Sequence, residues 1–232
     1  MTGDAATGDA AIRVLIVDDD PLVRSGLTMM LGGAGDIEVV GGSADGADVV
    51  DAVGRLAPHV VLMDVRMPVL DGIAATTALG RRTGSGLEGP AVVMLTTFDA
   101  DETVLAALRA GAAGFLLKHT PPAQIVDAVR RAAAGDPVLS PSVTRSVIAM
   151  AAGRPGPDTP SDTDAVARMN LLTDREREVA HAVSEALSNA EIAERLHLST
   201  SSIKATISSA LTRLDLTNRI QLAILAHESR RS

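Results

Sequence analysis

The chain has 232 residues and a formal net charge of −8 at pH 7, and 46% of its residues are hydrophobic. It contains no Cys, which excludes disulfides, thiolate chemistry and zinc sites built on cysteine. The acid excess is confined to the first part: residues 1–136 carry 18 acidic and 10 basic side chains, whereas residues 169–232 carry eight of each. This asymmetry predicts an acidic domain joined to a neutral domain that has a different partner.

The N-terminal residues and the hydropathy favour a soluble, cytoplasmic protein. Residues 1–11 are mainly Gly, Ala, Thr and Asp, without the basic residues that begin a signal peptide, so we expect a disordered tail. No apolar stretch approaches the roughly 20 residues that cross a bilayer. We therefore expect no association with a membrane.

From residue 12 to residue 135, short apolar runs alternate with segments of helical periodicity. Gly80–Pro90 is rich in Gly and is expected to be a surface loop. The alternation predicts the α/β class, with a doubly wound, five-stranded parallel sheet. The predicted strands lie near 12–17, 37–41, 59–63, 91–95 and 114–117, and the predicted helices near 21–33, 45–55, 71–80, 101–111 and 122–134.

Residues 136–168 are assigned to a linker, and residues 169–232 to a small helical domain. The linker contains a predicted helix at 142–152, followed by Pro and Gly residues that oppose regular structure. In the helical domain, Thr173 to Glu176 and Ser188 to Glu191 are capping boxes, and their spacing favours a helix-turn-helix. The predicted helices cover 174–186, 189–196 and 200–214, with Ser199 as N-cap of the third, and a fourth begins at Asn218.

Chemically active side chains follow four of the predicted strands. These are Asp18, Asp19 and Asp20, then Asp64, Thr96 and Lys118. We expect them to share one pocket, because the carboxyl ends of the strands form the ligand-binding edge of an open α/β sheet. Neighbouring carboxylates repel each other unless a cation such as Mg²⁺ or Mn²⁺ compensates them. A carboxylate can also accept a phosphoryl group, whose charge a lysine would neutralise.

These residues and their surroundings resemble the receiver domain of bacterial two-component response regulators. The matching segments are Val17–Arg24, Met63–Gly72, Leu95–Thr97 and Leu117–Lys118, in order within residues 12–135. The resemblance implies a flavodoxin-like fold in which Asp64 is the phosphoacceptor, and no catalytic residue beyond this pocket. The implied metal ligands are Asp18, Asp19, Asp64 and the backbone carbonyl of Arg66, and the implied switch and phosphoryl-binding residues are Thr96, Phe115 and Lys118.

The strand-end carboxylates also fit two other interpretations. They could be N-caps of the following helices, but this does not explain why Thr96 and Lys118 lie at the same edge. A haloacid-dehalogenase-type phosphatase also has an Asp nucleophile at a strand end, but with a second Asp two residues later, where this chain has Arg66. We therefore expect a regulator rather than an enzyme. The only reaction expected of this regulator is its own phosphorylation.

The C-terminal domain resembles the LuxR-type helix-turn-helix. The similarity rests on Leu172–Val179, Asn189–Ala193, Leu198-Ser199 and Ile203-Lys204, and covers about residues 171–228. With the receiver ahead of it, the whole chain is similar to the NarL/FixJ class of response regulators. The resemblance implies that helix 200–214 enters the major groove of double-stranded DNA. The residues expected at the DNA are Thr200, Ser201, Ser202, Lys204, Ala205 and Ser208.

The C-terminal domain departs from the family pattern, for example at Thr206, where the family commonly has His. Ala186 stands where the family has Gly, and the domain has no net positive charge, so we expect weak DNA binding by the monomer. The predicted function is phosphorylation-dependent transcriptional regulation, with a cognate sensor histidine kinase as phosphodonor and a homodimer as the phosphorylated form. The alternative is a phosphorylation-responsive protein-interaction regulator whose DNA binding is weakened or lost.

Overall fold

The computed structural model describes residues 11–83, 89–97, 101–139 and 162–230, which form an α/β domain followed by a helical domain. The strands are β1 Ile12–Val17, β2 Ile37–Ser43, β3 Val60–Asp64, β4 Ala91–Thr96, β5 Gly114–Leu117 and β6 Val138–Leu139. The helices of the α/β domain are α1 Pro21–Gly32, α2 Val49–Leu56, α3 Gly72–Thr83, α4 Asp101–Ala110 and α5 Pro122–Ala134. The later helices are α6 Asp162–Met169, α7 Asp174–Ser184, α8 Asn189–Leu196, α9 Thr200–Leu214 and α10 Arg219–Glu228.

The sheet is parallel throughout and has the strand order β2-β1-β3-β4-β5-β6. The order reverses between β1 and β3, and ligands of such sheets bind in the crevice at the carboxyl ends of the two strands that flank the reversal. Asp18 directly follows β1, and Asp64 is the last residue of β3. The topology therefore places both carboxylates at this crevice.

The two faces of the sheet have separate apolar cores, because successive strand side chains point in opposite directions. On β1, Leu15 and Val17 belong to the core that includes residues of α2, α3 and α4, whereas Val14 and Ile16 belong to the core that includes residues of α1 and α5. All four side chains are at most 1% exposed. Burial on both faces explains why the predicted strands are nearly continuous apolar runs.

Part of the predicted linker has regular structure. β6 pairs with β5, so the sheet has six strands rather than the five predicted. Gly114 permits this approach, since a Cβ at Gly114 would lie 2.6 Å from the carbonyl oxygen of Val138. α6 adds Ala165 and Met169 to the core of the helical domain. A two-residue strand has no periodicity to read, which is why the sequence did not predict it.

Some predictions concern residues outside the described ranges. These are the tail up to residue 10, the helix at 142–152, and residues 84–88 of the Gly80–Pro90 loop. α3 continues to Thr83, so the beginning of that predicted loop is helical. None of the helices that the structure describes is long and apolar enough to cross a membrane.

Candidate functional site

Three carboxylates lie together at the carboxyl ends of β1 and β3. One ligand oxygen from each of Asp18, Asp19 and Asp64 lies within 4.8 Å of the other two. Asp18 and Asp64 are buried, whereas Asp19 is exposed to solvent. The structure therefore brings together the acidic residues that the sequence predicts, with one side of the group open to water.

Lys118 joins two of these carboxylates. Its Nζ lies 2.7 Å from Asp18 Oδ2 and 2.8 Å from Asp64 Oδ2. Burial lowers the pKa of Lys118, but its contacts with Asp18 and Asp64 outweigh burial and hold the pKa above its usual value. Burial also raises the pKa of Asp18, and the contact with Lys118 offsets only part of this effect. An ammonium group is therefore fixed beside Asp64, where an added phosphoryl group would need a positive charge.

The donors of this pocket fit a hard divalent cation. Asp18 Oδ2 is buried and accepts no well-aligned hydrogen bond from the described residues, although Lys118 Nζ is close to it. Three carboxylates around a single ammonium leave uncompensated negative charge, which Mg²⁺ or Mn²⁺ would neutralise through oxygen ligands. The exposure of Asp19 leaves room for the waters that Mg²⁺ retains.

The loop between β1 and α1 is held by Arg24 of α1. Its Nη1 donates to the backbone carbonyls of Asp18 and Asp19, at 2.6 and 3.2 Å. The backbone N–H of Asp20 donates to Asp18 Oδ1 at 3.0 Å, and the Asp20 side chain caps α1 by accepting from the N–H of Leu22. Sequence reasoning assigned no role to Arg24, because an isolated arginine on a helix has no distinctive pattern.

Thr96 ends β4, the strand next to that of Asp64, and Phe115 lies on β5, one strand further away. In the sheet, Asp64 aligns with Leu95, the neighbour of Thr96, and the backbone N–H of Lys118 donates to the Thr96 carbonyl at 2.7 Å. Thr96 is 5% exposed, and Phe115 is fully buried in the core that includes residues of α4. Phe115 therefore shares a core with residues of α4, two strands away from Asp64.

The predicted DNA-contacting residues of α9 divide into two groups. Thr200, Ser201 and Ser202, at the N-terminus of the helix, are exposed to solvent. Lys204, Ala205 and Ser208 line the cleft between the two domains, where Ala205 is exposed, Lys204 and Ser208 are half-buried, and Lys204 Nζ lies 3.4 Å from the carbonyl oxygen of Ala133. In this structure the middle of α9 therefore faces the α/β domain.

The two domains meet through the ends of their helices. At the start of α8, Asn189 Nδ2 donates to the carbonyl of Ala134 at the end of α5, at 2.8 Å. At the start of α10, Asn218 Nδ2 donates to the carbonyls of Leu108 and Ala112 near the end of α4, at 2.7 and 3.1 Å. Helix N-termini carry partial positive charge and C-termini partial negative charge, so the ends attract each other.

Arg219 connects the same elements in the interior of the contact. Arg219 is 7% exposed. Its Nη1 lies 3.3 Å from Asp136 Oδ1 and also donates to Asn189 Oδ1. Its Nη2 donates to the carbonyl of Leu187. Burial lowers the pKa of Arg219, and Asp136 acts in the opposite direction. Sequence reasoning missed this pair because Arg219 and Asp136 are 83 positions apart.

Both domains match known families over the segments described above. Residues 14–130 match the response regulator receiver domain, and residues 170–226 match the luxR family of bacterial regulatory proteins. The chain is a two-component response regulator of the NarL/FixJ class. As such, it is a phosphorylation-dependent, DNA-binding regulator of transcription.

The similarity to individual response regulators extends over nearly the whole chain. The transcriptional regulatory protein LiaR of Bacillus subtilis is 36% identical over 218 residues, which cover 94% of this chain and 98% of LiaR. The nitrate/nitrite response regulator NarL of Escherichia coli is 31% identical over 217 residues, which cover 94% of this chain and 95% of NarL. Among solved structures, the response regulator ChrA of a heme-sensing two-component system has a TM-score of 0.51 at 32% identity, covering 95% of this chain and 98% of ChrA.

This response regulator has a left-handed residue, Ala186, at the position where the family has Gly. Ala186, between α7 and α8, has a φ of 61°, and its N–H donates to the carbonyl of Val183. A left-handed conformation is costly for a residue with a Cβ. Ala186 therefore carries a steric cost in this turn that Gly would not have.

Proposed function

We propose that this response regulator accepts a phosphoryl group on Asp64 from a cognate sensor histidine kinase. The observation that carries the proposal is the position of Lys118 Nζ between Asp18 and Asp64. An oxygen of Asp64 attacks phosphorus, the P–N bond of phosphohistidine breaks, and its electron pair returns to the imidazole nitrogen. Bound Mg²⁺ or Mn²⁺ would be held by Asp18, Asp19, Asp64 and the Arg66 carbonyl, and would neutralise charge on the carboxylates and phosphoryl oxygens.

Asp64 can be tested with a small phosphodonor. In acetyl phosphate and Mg²⁺, mass spectrometry should find one added phosphoryl group on the wild type and none on Asp64→Asn. Removing Mg²⁺ should abolish the addition, since the carboxylates then repel the donor. Asp71→Asn is a matched control, because the Asp71 side chain caps α3 by accepting from the N–H of Ala74. Addition to Asp64→Asn would contradict the assignment.

We further propose that phosphorylation separates the domains and lets α9 bind DNA. The support is that Lys204, Ala205 and Ser208 face the α/β domain, so a duplex cannot pack against this side of α9 while the domains touch. Two separated chains would then form a homodimer in the cytoplasm and present two α9 helices to two half-sites. Linking two weak modules raises the effective affinity, which offsets the neutral charge of the C-terminal domain. We propose no reaction other than the protein's own phosphorylation.

The DNA contact can be tested by selecting binding sites from random duplexes with the phosphorylated protein. We expect an enriched site and a shallow salt dependence, with a slope of roughly a few units, because few cations are available. Lys204→Ala should weaken binding by about 1–3 kcal/mol if Lys204 contacts a base. Arg175→Ala, which removes an exposed cation of α7, is the control. Recovery of no enriched site would favour the protein-interaction alternative.

A further inference from the structure

The loop between β3 and α3, residues 65–71, is held by a side chain from the loop between β2 and α2. Asp45 Oδ2 accepts from the N–H of Val69 at 2.8 Å, and Asp45 Oδ1 accepts from the N–H of Leu70 at 3.0 Å. The same Oδ1 accepts from the N–H of Ala47 at 2.9 Å, within its own loop. One carboxylate therefore joins two loops through three backbone donors.

The Asp45 carboxylate is itself well fixed. Its hydrogen bonds from the N–H groups of Ala47, Val69 and Leu70 hold the pKa of Asp45 below its usual value, so it stays ionised at neutral pH. Ser43 Oγ donates to the Asp45 carbonyl at 3.0 Å, which fixes the backbone of the same residue. Hydrogen bonds to an ionised acceptor are roughly twice as strong as those between neutral groups, so these contacts restrain the loop effectively.

Apolar burial holds the β3–α3 loop only in part, because Met67 and Leu70 pack partly buried against the core whereas the tip between them does not. Val69 is 80% exposed, and Pro68 is also exposed. The loop also lies close to its neighbours, because a Cβ on Gly46 would overlap the carbonyl oxygen of Leu70 and a Cβ on Gly72 would overlap that of Asp64. At its end, the N–H of Gly72 donates to the carbonyl of Val65 at 3.0 Å. Asp45 adds side-chain hydrogen bonds to the backbone N–H groups of residues 69 and 70, beside the contact between Gly46 and Leu70.

We infer that Asp45 is a positioning residue for the metal site, an inference that rests on the proposed function. The loop that it holds begins directly after Asp64 and contains Arg66, whose carbonyl is a proposed metal ligand. Asp45 is not itself among the clustered carboxylates, so it acts through the loop. If the loop were free, metal binding would first have to order it, at a cost in conformational entropy. Groups that orient metal ligands in this way typically contribute about 10- to 100-fold to metal affinity.

The inference can be tested by measuring Mg²⁺ affinity calorimetrically on the full-length protein. Asp45→Ala removes all three acceptor contacts and should raise the dissociation constant for Mg²⁺ by about 10-fold. Asp45→Asn keeps one acceptor oxygen but places an amide NH₂ against the N–H of Val69 or Leu70, so its effect should be smaller. At saturating Mg²⁺, both variants should be phosphorylated by acetyl phosphate at close to the wild-type rate, because the loop is then ordered by the ion.

Asp36→Ala is the matched control. It also removes one carboxylate and one contact, the pairing with Arg130, but Asp36 lies at the opposite end of the sheet. A dissociation constant within about twofold of the wild type in Asp45→Ala, or an equal rise in Asp36→Ala, would overturn the inference. If Asp45→Ala fails to fold, the dissociation constant for Mg²⁺ is measured on Asp45→Asn instead, and an unchanged value would overturn the inference. Failure of the proposed function is distinguishable, because the wild type itself would then bind no Mg²⁺ or accept no phosphoryl group.

Discussion

Several residues of this response regulator adopt a left-handed backbone conformation, which has a steric cost for a residue with a Cβ. Four described residues other than glycine have positive φ, namely Ala57, Ala186, His197 and Asp215. Three of them directly follow helices, as residues in the C-cap position commonly do. Ala186 is the informative one, because the sequence pattern already indicates that glycine belongs there.

Ala186→Gly should stabilise the protein. Glycine removes the steric cost of a φ of 61°, and this gain should exceed the entropy that glycine adds to the unfolded chain, for a net increase of about 0.5–1 kcal/mol in the free energy of unfolding. Urea unfolding monitored by circular dichroism would measure the difference. Ala190→Gly is the control, since Ala190 is exposed within α8 and should lose about 0.5–1 kcal/mol. Destabilisation of both variants would show that the turn stores no relievable strain.

Single elements also differ in how far the sequence could predict them. The capping boxes at Thr173 and Ser188 are present as predicted, because both partners of each box lie within one helical turn. The strand-end pocket was predictable because the topology of a parallel sheet brings the ends of β1 and β3 together. Asp45 has no such local signal, since its partners Val69 and Leu70 lie in another loop.

Helix α7 contains a half-buried imidazole that should make stability depend on pH. His181 Nδ1 is buried and has no hydrogen-bond partner among the residues that the structure describes. Burial, together with Arg230 and Arg177, lowers the pKa of His181 below its usual 6.5, while Glu185 acts in the opposite direction. The unfolded chain therefore takes up this proton first as the pH falls, and this contribution to stability is complete only above pH 6.5.

The free energy of unfolding should fall as the pH decreases from 6.5 towards the pKa of folded His181, by less than about 1.4 kcal/mol per pH unit. Urea unfolding at pH 7 and at more acidic pH would measure this slope. His181→Gln should flatten it, whatever its effect on stability at pH 7. His227→Gln is the control, because His227 is exposed on α10 and the slope should remain. Equal slopes in the wild type and His181→Gln would contradict the prediction.

At the scale of the whole molecule, the contact between the domains depends on a few polar residues. Asp136 Oδ1 accepts from the N–H of Asn189 at 2.9 Å and lies 3.3 Å from Arg219 Nη1. Removing one partner of a buried ion pair leaves the other charge buried and uncompensated, which is strongly destabilising. The free energy of the domain contact should therefore depend on Asp136 more than on the exposed charges around it.

Asp136→Ala should open the unphosphorylated protein. Weakening the contact by about 1.4 kcal/mol raises the ratio of open to closed molecules about tenfold. Small-angle scattering should show a larger radius of gyration, and operator binding should increase without phosphorylation. Asp127→Ala, which removes an exposed carboxylate of α5, should change neither quantity. An unchanged radius and affinity in Asp136→Ala would show that this ion pair does not control closure.

The helix ends at the domain contact have a further consequence, because helix N-termini are groups that bind phosphate. In this structure the starts of α8 and α10 are occupied by carbonyls of α4 and α5 and by the Asp136 carboxylate. If DNA and the receiver compete for the same surface, their effects must be reciprocal: the factor by which phosphorylation raises DNA affinity is the factor by which bound DNA favours phosphorylation. A promoter would then be an effector of its own regulator, shifting the equilibrium at Asp64 before any change in the kinase.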